Sequence, residues 1–217
     1  MRKKDIYILG VGNNTEVYID LVEECGFNPA GLYHYEIGRE GELLHNVPII
    51  DCNENLFKQD LTGILFAISV GDNLIRKDLA EKILKCGGEI PTLIHPTAVV
   101  SKYAKISAGV VIHAKALIQA GAIIGSNTVI SYNASVTHTS TVGKSCYLAA
   151  NAHIGAYCNI GNNVLLGEGA ILISGKVPTV GDNSIIGAGS VVTKSIAENT
   201  IVTGNPARTL KSFKINE

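Results

Sequence analysis

Two groups of residues in this sequence have types and spacings that could do chemistry. The first is His138, which ends the segment Ala134-Ser135-Val136-Thr137-His138. Imidazole titrates near ~6.5 in water, which suits the removal of a proton from an attacking nucleophile at neutral pH. Eighteen positions to either side stand Ala120 and Ala156. In a coil of that period the ring would lie between two methyls, on a shelf with room for a ligand. Tyr132 and Lys144 hold the same place in the two neighbouring hexads. Spacing alone weighs a general base and an ordinary surface histidine equally. The second group is Gly10-Val11-Gly12-Asn13-Asn14-Thr15, between an apolar strand (Asp5 to Leu9) and a helical pattern. Backbone amides at a helix N-terminus suit phosphate. The third glycine of a dinucleotide loop is missing, however. The second strand ends Leu32-Tyr33-His34-Tyr35, with Glu36 the one acid near a ribose position. A dinucleotide is therefore disfavoured. A nucleotide-sugar diphosphate and a tight turn required by the fold alone both stay open.

The remaining candidates read as structural. His34 and His45 fall in the α/β part, and His95 stands beside Pro96. His113 directly follows an inward Ile112, and His153 faces outward just before Ile154, where a neighbouring subunit could meet it. The five cysteines (Cys25, Cys52, Cys86, Cys146, Cys158) are odd in number and never spaced C-x-x-C. They read as small reduced hydrophobes of a cytoplasmic protein, with no metal expected.

His138 is positioned by a repeat. Every sixth residue from Ile94 is aliphatic: Ile94, Val100, Ile106, Ile112, Ile118, Ile124, Ile130, Val136, Val142, Leu148, Ile154, Ile160, Leu166 and Leu172, fourteen without exception. The register slips by two residues near Ser174 to Pro178 and resumes at Val180, Ile186 and Val192. A six-residue period marks a parallel β-helix. A second, mostly small column lies two residues before the aliphatic one, including Ala116, Ala134, Ser140, Cys146, Ala152 and Cys158. Gly or Asn three residues after it (Gly109, Gly121, Asn127, Asn133, Asn151, Asn163, Gly169) supplies the positive φ of tight corners, which a β-branched residue resists. The chain then completes a triangular circuit every eighteen residues.

Ahead of the repeat, strands alternate with helices. Strands are expected at Asp5 to Leu9, Ala30 to Tyr35, Ile49-Ile50 and Gly63 to Val70, with Ile90 to Leu93 closing the domain. One helix runs through Val17, Ile19, Leu21 and Val22. Another, capped by Asp72 or Asn73, runs through Leu74, Ile75, Leu79, Ile83 and Leu84 and ends at Gly87-Gly88. This predicts an α/β Rossmann-like domain over residues 1-90 and a β-helix domain over 91-217. After Val192 the chain is expected to leave the prism and end in a frayed polar tail. A net charge of -1 without a basic stripe gives nucleic acid no electrostatic footing. No apolar run is long enough to span a membrane, and Met1-Arg2-Lys3-Lys4-Asp5 leads into a strand too short and charged for a secretory segment.

The pairing of an α/β domain with a hexapeptide prism resembles the bacterial sugar acetyltransferases of the bacillosamine-pathway and sialic-acid O-acetyltransferase type. The resemblance rests on Ile94-His95-Pro96-Thr97-Ala98, Ala134-Ser135-Val136-Thr137-His138, Ile186-Gly187-Ala188-Gly189-Ser190-Val191-Val192 and Gly204-Asn205-Pro206-Ala207-Arg208. It implies a left-handed β-helix and a homotrimer with active sites between subunits. It further implies transfer of acetyl from acetyl-CoA to an amino group of a nucleotide-linked sugar, with His138 as proton acceptor. A sugar hydroxyl as acceptor, or a non-catalytic nucleotide-binding trimer, are the alternatives. The substrate-binding positions it implies are Gly10, Gly12, Asn13, Asn14, His34, Tyr35 and Gly71. Those for CoA are Tyr147, Gly155, Ala156, Glu168, Gly187 and Ala188. Three departures stand out. Thr139 replaces the acid that usually follows the histidine and orients it. Asn13 and Asn14 end a loop that commonly reads Gly-x-Gly-Gly-His, and His34-Tyr35 replaces a pair of aspartates.

Overall fold

The computed structural model describes residues 3–213, which form two compact units, Met1–Leu93 and Ile94–Glu217. The expectations for the first two and the last four residues lie outside the described residues.

The first unit contains β1 (Lys4–Leu9), α1 (Thr15–Glu24), β2 (Phe27–His34), β3 (Leu43–Leu44), β4 (Val47–Cys52), α2 (Asn53–Leu56), β5 (Phe66–Ile68) and α3 (Asn73–Lys85). The sheet order is β3-β4-β2-β1-β5; only the β3–β4 hairpin is antiparallel. β1 and β5 are buried throughout their inner residues (Ile6, Ile8, Leu9, Phe66), as strands of a parallel sheet covered on both faces must be. Asp72 caps α3 by accepting from the amides of Leu74 and Ile75 at 2.9 and 3.0 Å, a bond worth about 1 kcal/mol.

Several expected boundaries change. No strand runs from Ile90 to Leu93; Glu89 bridges Leu65 instead, and the next strand is Leu93–Ile94. The Gly63 to Val70 strand shrinks to β5, because Gly63 turns at φ +76°. β4 is longer than Ile49-Ile50, and α2 follows it directly. Val17, Leu74, Ile75 and Leu84, apolar members of the expected helical patterns, are about half exposed or more.

In the second unit each two-residue strand pairs in parallel with the one eighteen residues on. Leu117, Ser135, His153 and Ile171 lie side by side, and so do Ile123, Thr141 and Asn159, and Val129, Tyr147 and Leu165. Past Leu172 the step becomes twenty (Asn159 to Thr179, Leu165 to Ile185), which is the two-residue slip of the sequence. The aliphatic column from Ile112 to Leu172 and the small column fill one continuous core. The column is less buried in its first coil, where Ile94 is 38% exposed and Val100 and Ile106 are half-buried. Polar members of the small column are satisfied: Thr128 donates to Gly143 O and Ser140 to Gly155 O, both at 2.8 Å. Burial raises the Cys158 thiol pKa, in keeping with a packing role.

All seven Gly and Asn corner positions have positive φ, and Lys115, Thr139, Ser145 and Tyr157 share that column. At the first corner residue of several hexads (Gly125, Gly143 and Gly161 among them) stacked coils approach so closely that a side chain is excluded. A Cβ on Gly143 would lie 2.4 Å from Gly161 O and 2.6 Å from its carbonyl carbon, backbone atoms that cannot swing away. Gly143→Ala should therefore destabilise the protein by about 1–3 kcal/mol, the usual cost of overpacking, read as a lowered midpoint in urea.

The chain does not leave the prism after Val192. Ile196 is buried against Val180, and Thr200–Thr203 adds a further parallel strand on Ile185–Ile186. Arg208–Ser212 then folds back antiparallel upon it. Ile196 and Val202 continue the inward apolar column off the six-residue period, so the sequence pattern did not show them.

Candidate functional site

In the first unit the glycine loop, the end of β2 and α3 enclose a cavity of about 1180 Å³. Gly10, Gly12, Asn13, Asn14, Tyr35 and Gly71 all line it. His34 lines an adjoining cavity of about 520 Å³ together with Gly12, Asn13 and Tyr35. The loop is held from within. Thr15, standing where a third glycine would be, accepts from the Gly12 amide at 2.7 Å, and its hydroxyl lies 3.4 Å from Gly10 O and from Ser69 Oγ. Ser69 Oγ donates to Gly10 O at 2.8 Å. Gly10 is required by packing, because its φ is +89° and a Cβ there would lie 2.3 Å from Val70 Cγ2. Gly12 has open space beside it. The Gly12 amide is thus already used, which removes one donor from any phosphate in the loop.

Sequence reasoning missed the other walls. Asn53, Glu54 and Phe57 come from α2 and the turn after it, and Ile75, Leu79, Lys82 and Cys86 line the cavity from one face of α3. The 75-79-82-86 spacing was readable in the sequence. Lys82 pairs with Asp78 at 2.7 Å and stands 5.9 Å from the Phe57 ring centroid, while Lys85 adds a second cation. Asn53 Oδ1 is buried without a hydrogen-bond partner among the described residues, and such an acceptor stays costly until a donor reaches it. Arg76, almost wholly buried, donates to Val70 O and Gly71 O at 3.2 and 3.1 Å and fixes the loop that carries Gly71.

In the second unit His138 is exposed on a corner of the prism, between the strands Ser135–Val136 and Thr141–Val142. Ala120 and Ala156 occupy the same corner one coil before and one after. Two coils on, the same corner carries the two-residue insertion at Ser174-Gly175-Lys176. The His138 amide donates to Gln119 Oε1 at 3.0 Å, its Nδ1 lies 3.4 Å from Thr139 Oγ1, and its ring meets the Tyr157 ring edge-on at 5.2 Å. Among the described residues no carboxylate forms an ion pair with it. Tyr157 went unnoticed in the sequence, although it stands one coil beyond Thr139. Thr139 holds φ +59°, an unusual conformation for a β-branched residue.

The positions expected to meet CoA do not gather on one corner. Gly155 and Ala156 share the corner of His138, and the Ala156 amide donates to Ser174 Oγ at 2.9 Å. Glu168, Gly187 and Ala188 lie on another corner, before Ile171–Leu172 and Val191–Val192, and Tyr147 lies on the face leading to it. His153 accepts or donates at 2.7 Å with Ser135 Oγ, and His113 is buried. Among the described residues no group of metal-ligating side chains is assembled, and no helix is long and apolar enough to cross a membrane.

No family model matches the chain. A 52-residue stretch is 48% identical to the UDP-N-acetylbacillosamine N-acetyltransferase of Bacillus subtilis (strain 168), and it spans 24% of this chain and 24% of that relative's own length. Among solved structures, a histidine-to-alanine mutant of GDP-perosamine N-acetyl transferase from Caulobacter crescentus, in complex with CoA and GDP-perosamine, superposes with a TM-score of 0.89 at 28% identity, over 96% of this chain and 97% of that one. The acetyltransferase domain of PglB from Neisseria gonorrhoeae FA1090, in complex with acetyl coenzyme A, gives 0.87 at 28% identity, over 96% and 100%. The resemblance to hexapeptide-repeat sugar acetyltransferases therefore extends through both units, and the prism is the left-handed parallel β-helix that it implied.

Proposed function

We propose that this chain, similar along nearly its whole length to the hexapeptide-repeat sugar acetyltransferases, transfers acetyl from acetyl-CoA to the amino group of a nucleotide-linked amino sugar. The observation that carries the reading is His138, an exposed imidazole flanked by methyls on a rigid corner, in a fold matched at 0.89 to an N-acetyltransferase crystallised with CoA and a nucleotide amino sugar. The amine attacks the thioester carbonyl carbon while His138 Nε2 takes its proton. The tetrahedral intermediate then collapses and expels the CoA thiolate. Nδ1, facing the Thr139 hydroxyl, carries the other ring proton, so that Nε2 keeps its lone pair. Thr139 brings no charge, which suits an amine, a nucleophile less dependent on its base than a sugar hydroxyl.

The glycine loop and the α3 cations would hold the nucleotide diphosphate, with Gly10, Gly12, Asn13, Asn14, His34, Tyr35 and Gly71 around it. The division of Gly155 and Ala156 from Glu168, Gly187, Ala188 and Tyr147 over two corners supports a homotrimer. One CoA reaches both sets where two prisms stand side by side. Five free thiols fit a reducing, cytoplasmic setting.

Release of CoA thiol should be measured with acetyl-CoA and a panel of UDP-, dTDP- and GDP-linked amino sugars. Turnover with at least one amine is expected. Acetyl-CoA bound without turnover on any amine overturns the reading, and turnover only on a sialic-acid hydroxyl moves it to O-acetylation.

A further inference from the structure

We propose that Tyr157 is a positioning residue for His138: its ring holds the imidazole where it takes the amine proton. This rests on the acetyltransferase reading above and adds to it the group that takes over from the absent acid.

An exposed imidazole that serves as base must be held in place. Its outer torsion has broad wells, yet a base has to stay within hydrogen-bond reach of the proton it removes. The Thr139 hydroxyl is a weak anchor, because 3.4 Å from Nδ1 is longer than the usual range of about 2.7–3.2 Å. Among the described residues no carboxylate pairs with the ring, and its one other directional contact is Tyr157. The two rings stand at 88° with centroids 5.2 Å apart. Aromatic pairs prefer this edge-to-face geometry, in which the positive edge of one ring meets the negative face of the other. Rotating either ring about its torsion gives the contact up, so it fixes the imidazole's angle as well as its place.

Packing does not account for Tyr157. The residue is 63% exposed and takes no part in the prism core. Its φ is +63°, in the left-handed region that a side chain resists. The turn itself accepts glycine: the same column holds Gly121 at +75° in the coil before Thr139 and Gly175 at +69° in the coil after Tyr157. Between those glycines two residues keep their side chains at a conformational cost, and both touch the same imidazole. Strain of this kind gathers at functional sites. Ala156, one coil from His138, ends in a methyl, which lets the Tyr157 ring reach across. In the coil before, Ala120 and Gly121 carry nothing larger than a methyl, and that side is left to the incoming amine. The Tyr157 hydroxyl makes no hydrogen bond among the described residues, so the ring alone carries the role.

Steady-state kinetics of the full protein test this, with acetyl-CoA and whichever amino sugar of the panel above turns over fastest. Tyr157→Phe keeps the ring and should hold kcat within about twofold of the unaltered protein. Tyr157→Ala should lower kcat roughly three- to ten-fold, the range that one edge-to-face pair supports, with KM for both substrates within about twofold. Added to His138→Ala, the same change should cost nothing further, since no imidazole remains to be held. Full kcat in Tyr157→Ala overturns the proposal. So does an equal loss in Tyr157→Phe, which assigns the hydroxyl, or a raised KM for the sugar at unchanged kcat, which makes Tyr157 a substrate contact. An undiminished further loss in the His138→Ala background overturns it by showing that Tyr157 acts independently of the base. Full activity of His138→Ala, or no turnover of any amine by the unaltered protein, overturns the mechanism above along with it.

Discussion

His138→Ala should lower kcat by roughly 10²- to 10⁴-fold, the usual contribution of a positioned general base. The stability of the protein should stay within about 0.5 kcal/mol, as for other surface substitutions. The side chain is exposed and adds nothing to the core. The coil there is held by backbone bonds that alanine keeps, including the His138 amide to Gln119 Oε1 at 3.0 Å and the Thr139 amide to Ala120 O at 3.3 Å. Steady-state kinetics together with a urea melt reads both quantities. Undiminished kcat would move the base elsewhere. A loss of stability in step with activity would make His138 structural.

Between neutrality and pH 4 the protein should lose about 3 kcal/mol of stability through His113 alone. Burial, and secondarily the charge of His95, lowers the His113 pKa from 6.5 to about 4. The folded-state value is depressed, so across that interval the unfolded chain binds a proton that the folded one refuses. Stability is therefore full above pH 6.5 and falls as the pH drops towards 4. His113→Gln, which cannot titrate, should flatten that part of the curve. Urea midpoints at pH 7.0 and 4.5 for both proteins decide it, and parallel losses would show that other groups carry the acid sensitivity.

The prism was legible because its core is one-dimensional: a six-residue period can be counted without knowing a single long-range contact. The same count placed His138 outward between two alanines, since every corner repeats the previous one. Where contacts cross the sequence without a period, legibility ended. Arg39 lies in the turn after β2, and no spacing links it to His34 or to the glycine loop. Ile75, Lys82 and Cys86 do follow helical spacing, but an apolar residue on a helix reads as core by default, and Ile75 proves to be cavity wall. Thr15 looked like the loss of a glycine; the structure shows its hydroxyl occupying the Gly12 amide, a bond that no motif describes. The corner rule also failed at Lys115, Thr139, Ser145 and Tyr157, and Thr139 is the instructive case. Thr139 adopts the positive φ that its branched side chain resists, because the coils above and below impose the turn.

The strand Arg208–Ser212 has a consequence for how molecules meet each other. A stack of parallel coils ends in a row of unpaired amides and carbonyls, and the next coil it would welcome could come from another molecule. Here the final parallel strand, Thr200–Thr203, is covered by an antiparallel one whose exposed residues include Arg208 and Lys211. A strand running backwards offers no register to an incoming coil, and its cations repel a second copy of itself. Along that face of the prism the hairpin thus blocks the addition of another parallel coil.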